Sequence, residues 1–146
     1  MAVTCQLVRV GPTELPAIRT EPVNVLELVD GEESGDRWAD LDQAWEGLFD
    51  AFEAGGDRLG DVLFPSAPVA DESEHGGPIV MLGEPDVVRS VAEALDGFQP
   101  GWRRRRRWPR PDPKMEPEYL QAHLEVARDF YRRAAAAGDA IAVIIG

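Results

Sequence analysis

The stretch Asp40-Leu41-Asp42-Gln43-Ala44-Trp45-Glu46-Gly47-Leu48-Phe49-Asp50-Ala51-Phe52 constrains the fold more than any other part of the chain. Its apolar residues, Leu41, Ala44, Trp45, Leu48, Phe49 and Phe52, follow the i, i+3, i+4, i+7, i+8, i+11 series of one helical face. The spacing predicts an amphipathic helix over 41–54. Asp40 is placed to cap its first turn, Gln43 answers three residues later, and Gly55-Gly56 closes it. Such a stripe needs a facing core, which the remaining segments must supply.

Those segments alternate between short strands and helices. Thr4 to Val10 reads as a first strand. Gly11 to Ile18, with prolines near its start, suits a turn and a short helix. Val25, Leu26, Leu28 and Val29 fit either a short helix or a strand. Residues 31–36 read as an acidic loop, and 64–78 reads as loop with at most a short strand around Val69. Ile79-Val80-Met81-Leu82 is a buried strand. Pro85 then opens a helix with Val87, Val88, Val91, Leu95 and Phe98 inward. The longest helix is predicted over 118–137, with Tyr119, Leu120, His123, Leu124, Ala127, Phe130, Tyr131 and Ala134 as its core stripe and Gly138 as its cap. The continuous apolar run 140–145 belongs in the middle of a sheet. The expected architecture is a single α+β domain over 1–146, a mixed sheet packed against several helices, with an irregular Arg/Trp/Pro-rich loop at about 100–117.

Three blocks of this chain resemble the YfbM-like family, small bacterial proteins built on a domain of unknown function. They are Leu41-Asp42-Gln43-Ala44-Trp45 followed by Leu48; Gly77-Pro78 leading through Leu82 and Val88 to Ala92-Glu93-Ala94-Leu95; and Phe130 to Ala140. The first strand, with Leu7-Val8-Arg9-Val10, also fits. The blocks stand in the family's order and span nearly the whole chain. The resemblance implies a cytoplasmic α+β fold and no assigned reaction. The run Arg103 to Arg107 departs from the family pattern.

Charge excludes some functions and favours others. The formal net charge is −12, and residues 1–100 hold 21 acids against 5 bases. An acidic surface repels nucleic-acid phosphate and anionic lipid and steers basic partners inward. The segment Trp102-Arg103-Arg104-Arg105-Arg106-Arg107-Trp108-Pro109-Arg110 has the opposite character, mixing guanidinium groups with aromatic faces as single-stranded nucleic-acid sites do. Without its six arginines the remainder carries −18, a field that opposes any nucleic acid longer than a few nucleotides. Pairing with the chain's own acidic surface, or with a second copy, competes with that reading. No apolar run approaches the roughly 20 residues of a membrane span. The single cysteine, Cys5, permits no internal disulfide, consistent with a cytoplasmic protein.

Catalytic motifs are absent. Ser34, Ser66, Ser73 and Ser90 lack the Gly-x-Ser-x-Gly elbow, and the glycines at 55–60 lack the lysine of a phosphate loop. Asp71, Glu72, Glu74 and His75 match no metal-binding spacing and read as an exposed acidic loop. Cys5 reads as a buried structural thiol and His123 as a hydrogen-bonded core histidine. Asp42, Glu46, Asp50 and Glu53 would share the wet outer face of the first long helix. No cofactor or metal is expected.

The residues singled out for a ligand or partner are Trp38, Asp42, Glu46, His75, Trp102, Arg103, Arg104, Arg105, Arg106, Arg107 and Trp108. The leading reading is a non-enzymatic acidic module that binds, and could neutralise, a basic protein. A small-molecule cleft between the loops at 64–78 and 102–114 is the alternative.

Overall fold

A computed structural model describes residues 3–29, 37–56, 58–102 and 116–146 of the chain. Its strands are β1 (Cys5–Val10), β2 (Trp38–Asp42), β3 (Ala70–Asp71), β4 (Ile79–Gly83) and β5 (Ala140–Ile145). They form one sheet in the order β2-β1-β5-β4-β3, so the most apolar strand does sit at the centre. All six of its residues are buried. Leu7 and Met81 flank Val143 from either side, and Val8 and Leu82 flank Ala142.

The ladders are all antiparallel, where a mixed sheet was expected. The reason lies between β4 and β5. One helix joining adjacent strands returns the chain for a parallel strand. Among the described residues two helices intervene, α3 (Pro85–Asp96) and α4 (Pro117–Ala137), and the return along α4 sets β5 against β4; the other described α-helices are α1 (Leu15–Thr20) and α2 (Trp45–Gly55).

Alternation along the strands divides the core in two. Ile141, Val143 and Ile145, with Cys5, Leu7 and Met81, face α2, α3 and α4. Ala140, Ala142 and Ile144, with Val8, Val10, Val80 and Leu82, face the smaller layer built by α1 and the 3₁₀ turn Pro22–Leu28. That turn settles the ambiguous Val25–Val29 segment, and only Val25 in it is fully buried.

The main departure from the expected elements is at the start of the first long helix. Residues 38–42 pair with β1 as an edge strand, and α2 begins only at Trp45, with Ala44 before it and no side-chain cap. Leu41 satisfies both periods: it is the first apolar residue of the helical series and an inward residue, with Ala39, of a strand. The open edge of β1 decides between them, because pairing satisfies its backbone groups. The Asp40 carboxylate accepts the Asp42 N–H at 2.7 Å, closing a turn rather than capping a helix. Asp42 itself adopts φ 49°, a left-handed conformation that aspartate tolerates better than most residues. The end of α2 agrees with the expectation: Gly55 is its last residue and Gly56 follows at φ 125°.

α4 closes as its sequence predicts. Gly138, at φ 73°, lets its own N–H reach the Ala135 carbonyl at 3.2 Å and the Asp139 N–H reach Ala134 at 2.9 Å. The Asp139 side chain is buried and is bound by Arg9 Nε at 2.8 Å.

Tyr131, on the inner face of α4, is 1% exposed and its hydroxyl donates to the Val62 carbonyl at 2.7 Å. Burial pushes its phenol far above the ordinary range, so it stays neutral. Tyr131→Phe removes the donor and leaves that carbonyl without its partner. The expected loss is about 1–3 kcal/mol, measured by urea unfolding.

Candidate functional site

α2 carries the candidate surface. Its inner face is fixed by Leu48 and Phe52, both 0% exposed, and Gly47 is buried beside them. Its outer face presents Glu46, Asp50 and Glu53, all exposed. Glu46 lies in the first turn, where a carboxylate complements the helix dipole. Trp45 and Phe49 are half-buried between the two faces, and the Trp45 indole N–H donates to the Val3 carbonyl at 3.0 Å.

Asp42 does not join the carboxylate row, because it ends β2 instead of starting the helix. Its Oδ2 accepts the hydroxyl of Tyr119 at 3.0 Å. Partial burial, and then the hydrogen bond to Asp42, raise the Tyr119 phenol above its ordinary value. The phenol is therefore a neutral donor at physiological pH and no general base. His123, one turn along α4, stacks on Tyr119 with ring centroids 4.4 Å apart. Its Nδ1 lies 2.9 Å from the Tyr119 carbonyl. It is half-buried on the flank of the helix, not in the core where it was expected. Residues 119 and 123 stand one position before Leu120 and Leu124, which turns them to the edge of the stripe. That offset is the only sequence signal that could have moved them out of the core.

The other predicted residues are dispersed. Trp38 packs half-buried against the smaller core, and its Nε1 is buried without a partner among the described residues. His75 ends an exposed 3₁₀ turn, Ser73–His75. In that loop Asp71 accepts the Ser73 N–H at 2.9 Å, and its hydrogen bonds from Ser73 lower its pKa, so it is engaged locally. Among the described residues no three His, Cys, Asp or Glu side chains gather to hold a metal. Trp102 packs against the larger core and donates from Nε1 to Gln121 at 2.7 Å. Arg103, Arg104, Arg105, Arg106, Arg107 and Trp108 lie outside the described residues, as does all but the first residue of the 102–114 side of the expected cleft.

Two surface grooves meet at Phe98 and Gln99. One, of about 320 Å³, is lined by Phe98, Gln99, Pro100, Gln121, Glu125 and Arg128. The other, of about 680 Å³, runs from Gly55 and Arg58 past Glu93 to Gly97. The cation of the first is already engaged: Arg128 binds Glu125 and the carbonyls of Leu95 and Phe98. Neither groove is lined by the 64–78 loop. Cys5 is fully buried, and burial raises its thiol pKa far above the ordinary range, which silences it as a nucleophile.

The family model for a domain of unknown function, DUF1877, matches residues 1–144. The chain belongs to the DUF1877 family. Its fold is similar to the crystal structure of YfbM from Escherichia coli, a protein of unknown function, with a TM-score of 0.67 at 13% identity. That similarity covers 98% of this chain and 99% of the other. At this identity it shows a shared fold. No protein of curated function matches. Among the described residues no helix is long and apolar enough to cross a membrane.

Electrostatics also hold the frame around the sheet. Glu14, ahead of α1, accepts two hydrogen bonds from Arg37, ahead of β2, and the Gly11 N–H at 3.2 Å. The Arg37 hydrogen bonds outweigh partial burial and lower the Glu14 pKa. A lowered folded-state pKa gives stability that is present above the unfolded value, about 4.3, and lost as pH falls through the folded one. The pair is partly solvated, so the contribution is about 0.5 kcal/mol. Urea unfolding across acidic pH is expected to show Glu14→Gln with a correspondingly shallower loss of stability than the parent chain.

Proposed function

We propose that this chain is a non-enzymatic interaction module whose acidic surface receives a basic protein partner and can mask that partner's cationic surface. The observation that carries this reading is the outward-facing carboxylates of α2. Arg9, Arg19, Arg37, Arg128, Arg132 and Arg133 each form an ion pair with a carboxylate of the same chain. Glu46 and Glu53 meanwhile stand exposed on one side of α2, in a chain with 27 acidic and 15 basic residues. Negative charge is thus held outward on a rigid helix, the arrangement that accelerates and orients encounter with a cationic partner.

The chemistry of the polar groups points the same way. Tyr119 is kept neutral, Cys5 is buried, and Arg128 is occupied by carbonyls. The immobilised chain is expected to retain basic proteins from a lysate of its source organism at low salt and to release them as salt rises. A Glu46→Lys/Glu53→Lys variant should lose that retention. Retention of the same proteins by the charge-reversed variant would remove the basis of the proposal.

A further inference from the structure

Beside the carboxylate row, α2 carries an apolar one. Trp45 and Phe49 stand one turn apart on the helix and are only half-buried. Phe64, from the loop after the 3₁₀ turn Leu59–Val62, extends the row: it meets Phe49 edge to face, with centroids 5.3 Å apart, and remains 40% exposed. At the other end Val3, whose carbonyl holds the Trp45 indole, is 46% exposed. Trp45 and Phe49 rest one side on the larger core, so the row is anchored while Phe64 leaves much of its ring in water, and aromatic rows with a charged rim are the usual anatomy of an interface centre. Glu46 and Glu53 lie three residues before and four residues after Phe49, and so border the same strip of helix.

We propose that the Trp45–Phe49–Phe64 ridge is the docking surface for one kind of partner element, an amphipathic helix with leucine-like residues on one face and lysine or arginine on its flank. This deepens the interaction-module reading and rests on it. The apolar row matches the apolar face of such a helix, and charge complementarity sets its flank against Glu46 and Glu53. A uniformly cationic, extended segment would satisfy the carboxylates and leave the aromatic row wet. A purely apolar helix would leave the carboxylates without counter-charge. The ridge therefore selects for pattern as well as charge.

The test uses the full chain and two fluorescein-labelled peptides of identical leucine and lysine composition. One is ordered to form an amphipathic helix and the other is scrambled; binding is read by anisotropy. The patterned peptide is expected to bind at least about tenfold more tightly. Phe64→Ser, on an exposed loop position, should erase that advantage and leave the scrambled peptide unaffected. Phe49→Ser should do the same, with circular dichroism confirming the fold. Glu46→Lys/Glu53→Lys should weaken both peptides.

If both peptides bind equally, lose affinity on charge reversal and ignore Phe64→Ser, the ridge is refuted while the acidic module stands. A patterned advantage that survives both phenylalanine substitutions likewise refutes the ridge, since the surface then lies elsewhere. If neither peptide binds at low salt, both readings fall.

Discussion

Phe52→Ala is expected to destabilise the protein by about 3–5 kcal/mol, a large share of the stability of a chain this size. Phe52 is 0% exposed at the centre of the larger core, and its ring packs against Phe98 at a centroid distance of 5.7 Å. Truncation loses the transfer free energy of the ring and leaves a cavity that the sheet and two helices cannot collapse to fill. The neighbouring Glu53, exposed on the same helix, provides the control. Glu53→Ala should change stability by no more than about 0.5 kcal/mol. The denaturation midpoint in urea distinguishes the two, and equal effects would contradict the burial on which the architecture rests.

Arg128 should produce the second large effect despite being charged. Helix α3 ends without enough backbone partners, as every helix does. Arg128 on α4 reinforces that end: its Nε donates at 3.0 Å to the Leu95 carbonyl, which also accepts the Gly97 and Phe98 N–H groups, and its Nη2 donates at 2.6 Å to the Phe98 carbonyl just past the helix. Its remaining nitrogen reaches Glu125, and its side chain is 15% exposed. The cation also sits where the dipole of α3 favours positive charge. Arg128→Met keeps the aliphatic stem and removes all of this, with an expected loss of about 2–3 kcal/mol. Arg128→Lys should recover only a part, because a single ammonium cannot place two donors at the fixed angle of a guanidinium fork. Hydrogen exchange should localise the effect: amides at the C-terminal end of α3 lose protection first. Full recovery by lysine would indicate that charge alone matters there.

Much of this was legible in the residues, for identifiable reasons. Ala140 to Ile145 had to be a central strand because no other setting buries six consecutive apolar side chains on both faces. Pro85 and Gly138 mark helix ends through backbone restrictions that do not depend on neighbours. The segment 38–44 was misread because Leu41 fits two periods at once, and only the unpaired edge of β1 separates them. Asp42 went with it: as a strand-end residue it binds Tyr119 and leaves the carboxylate row to Glu46, Asp50 and Glu53. The direction of β5 against β4 was equally hidden, since it depends on two helices folding back in succession.

The candidate surface divides along the same line. The acidity and the apolar stripe of α2 are properties of the sequence, because charge and helical spacing are written residue by residue. The row that joins Phe64 to Phe49, 15 positions earlier, is not. By itself the sequence determined the helices, the central strand, the sign of the surface and the family to which the chain belongs. Tertiary structure alone decided which residues of α2 remained exposed and which distant aromatic joined them. The physical reason is that local pattern fixes what a segment can bury, while the partners it finds fix what it leaves in water.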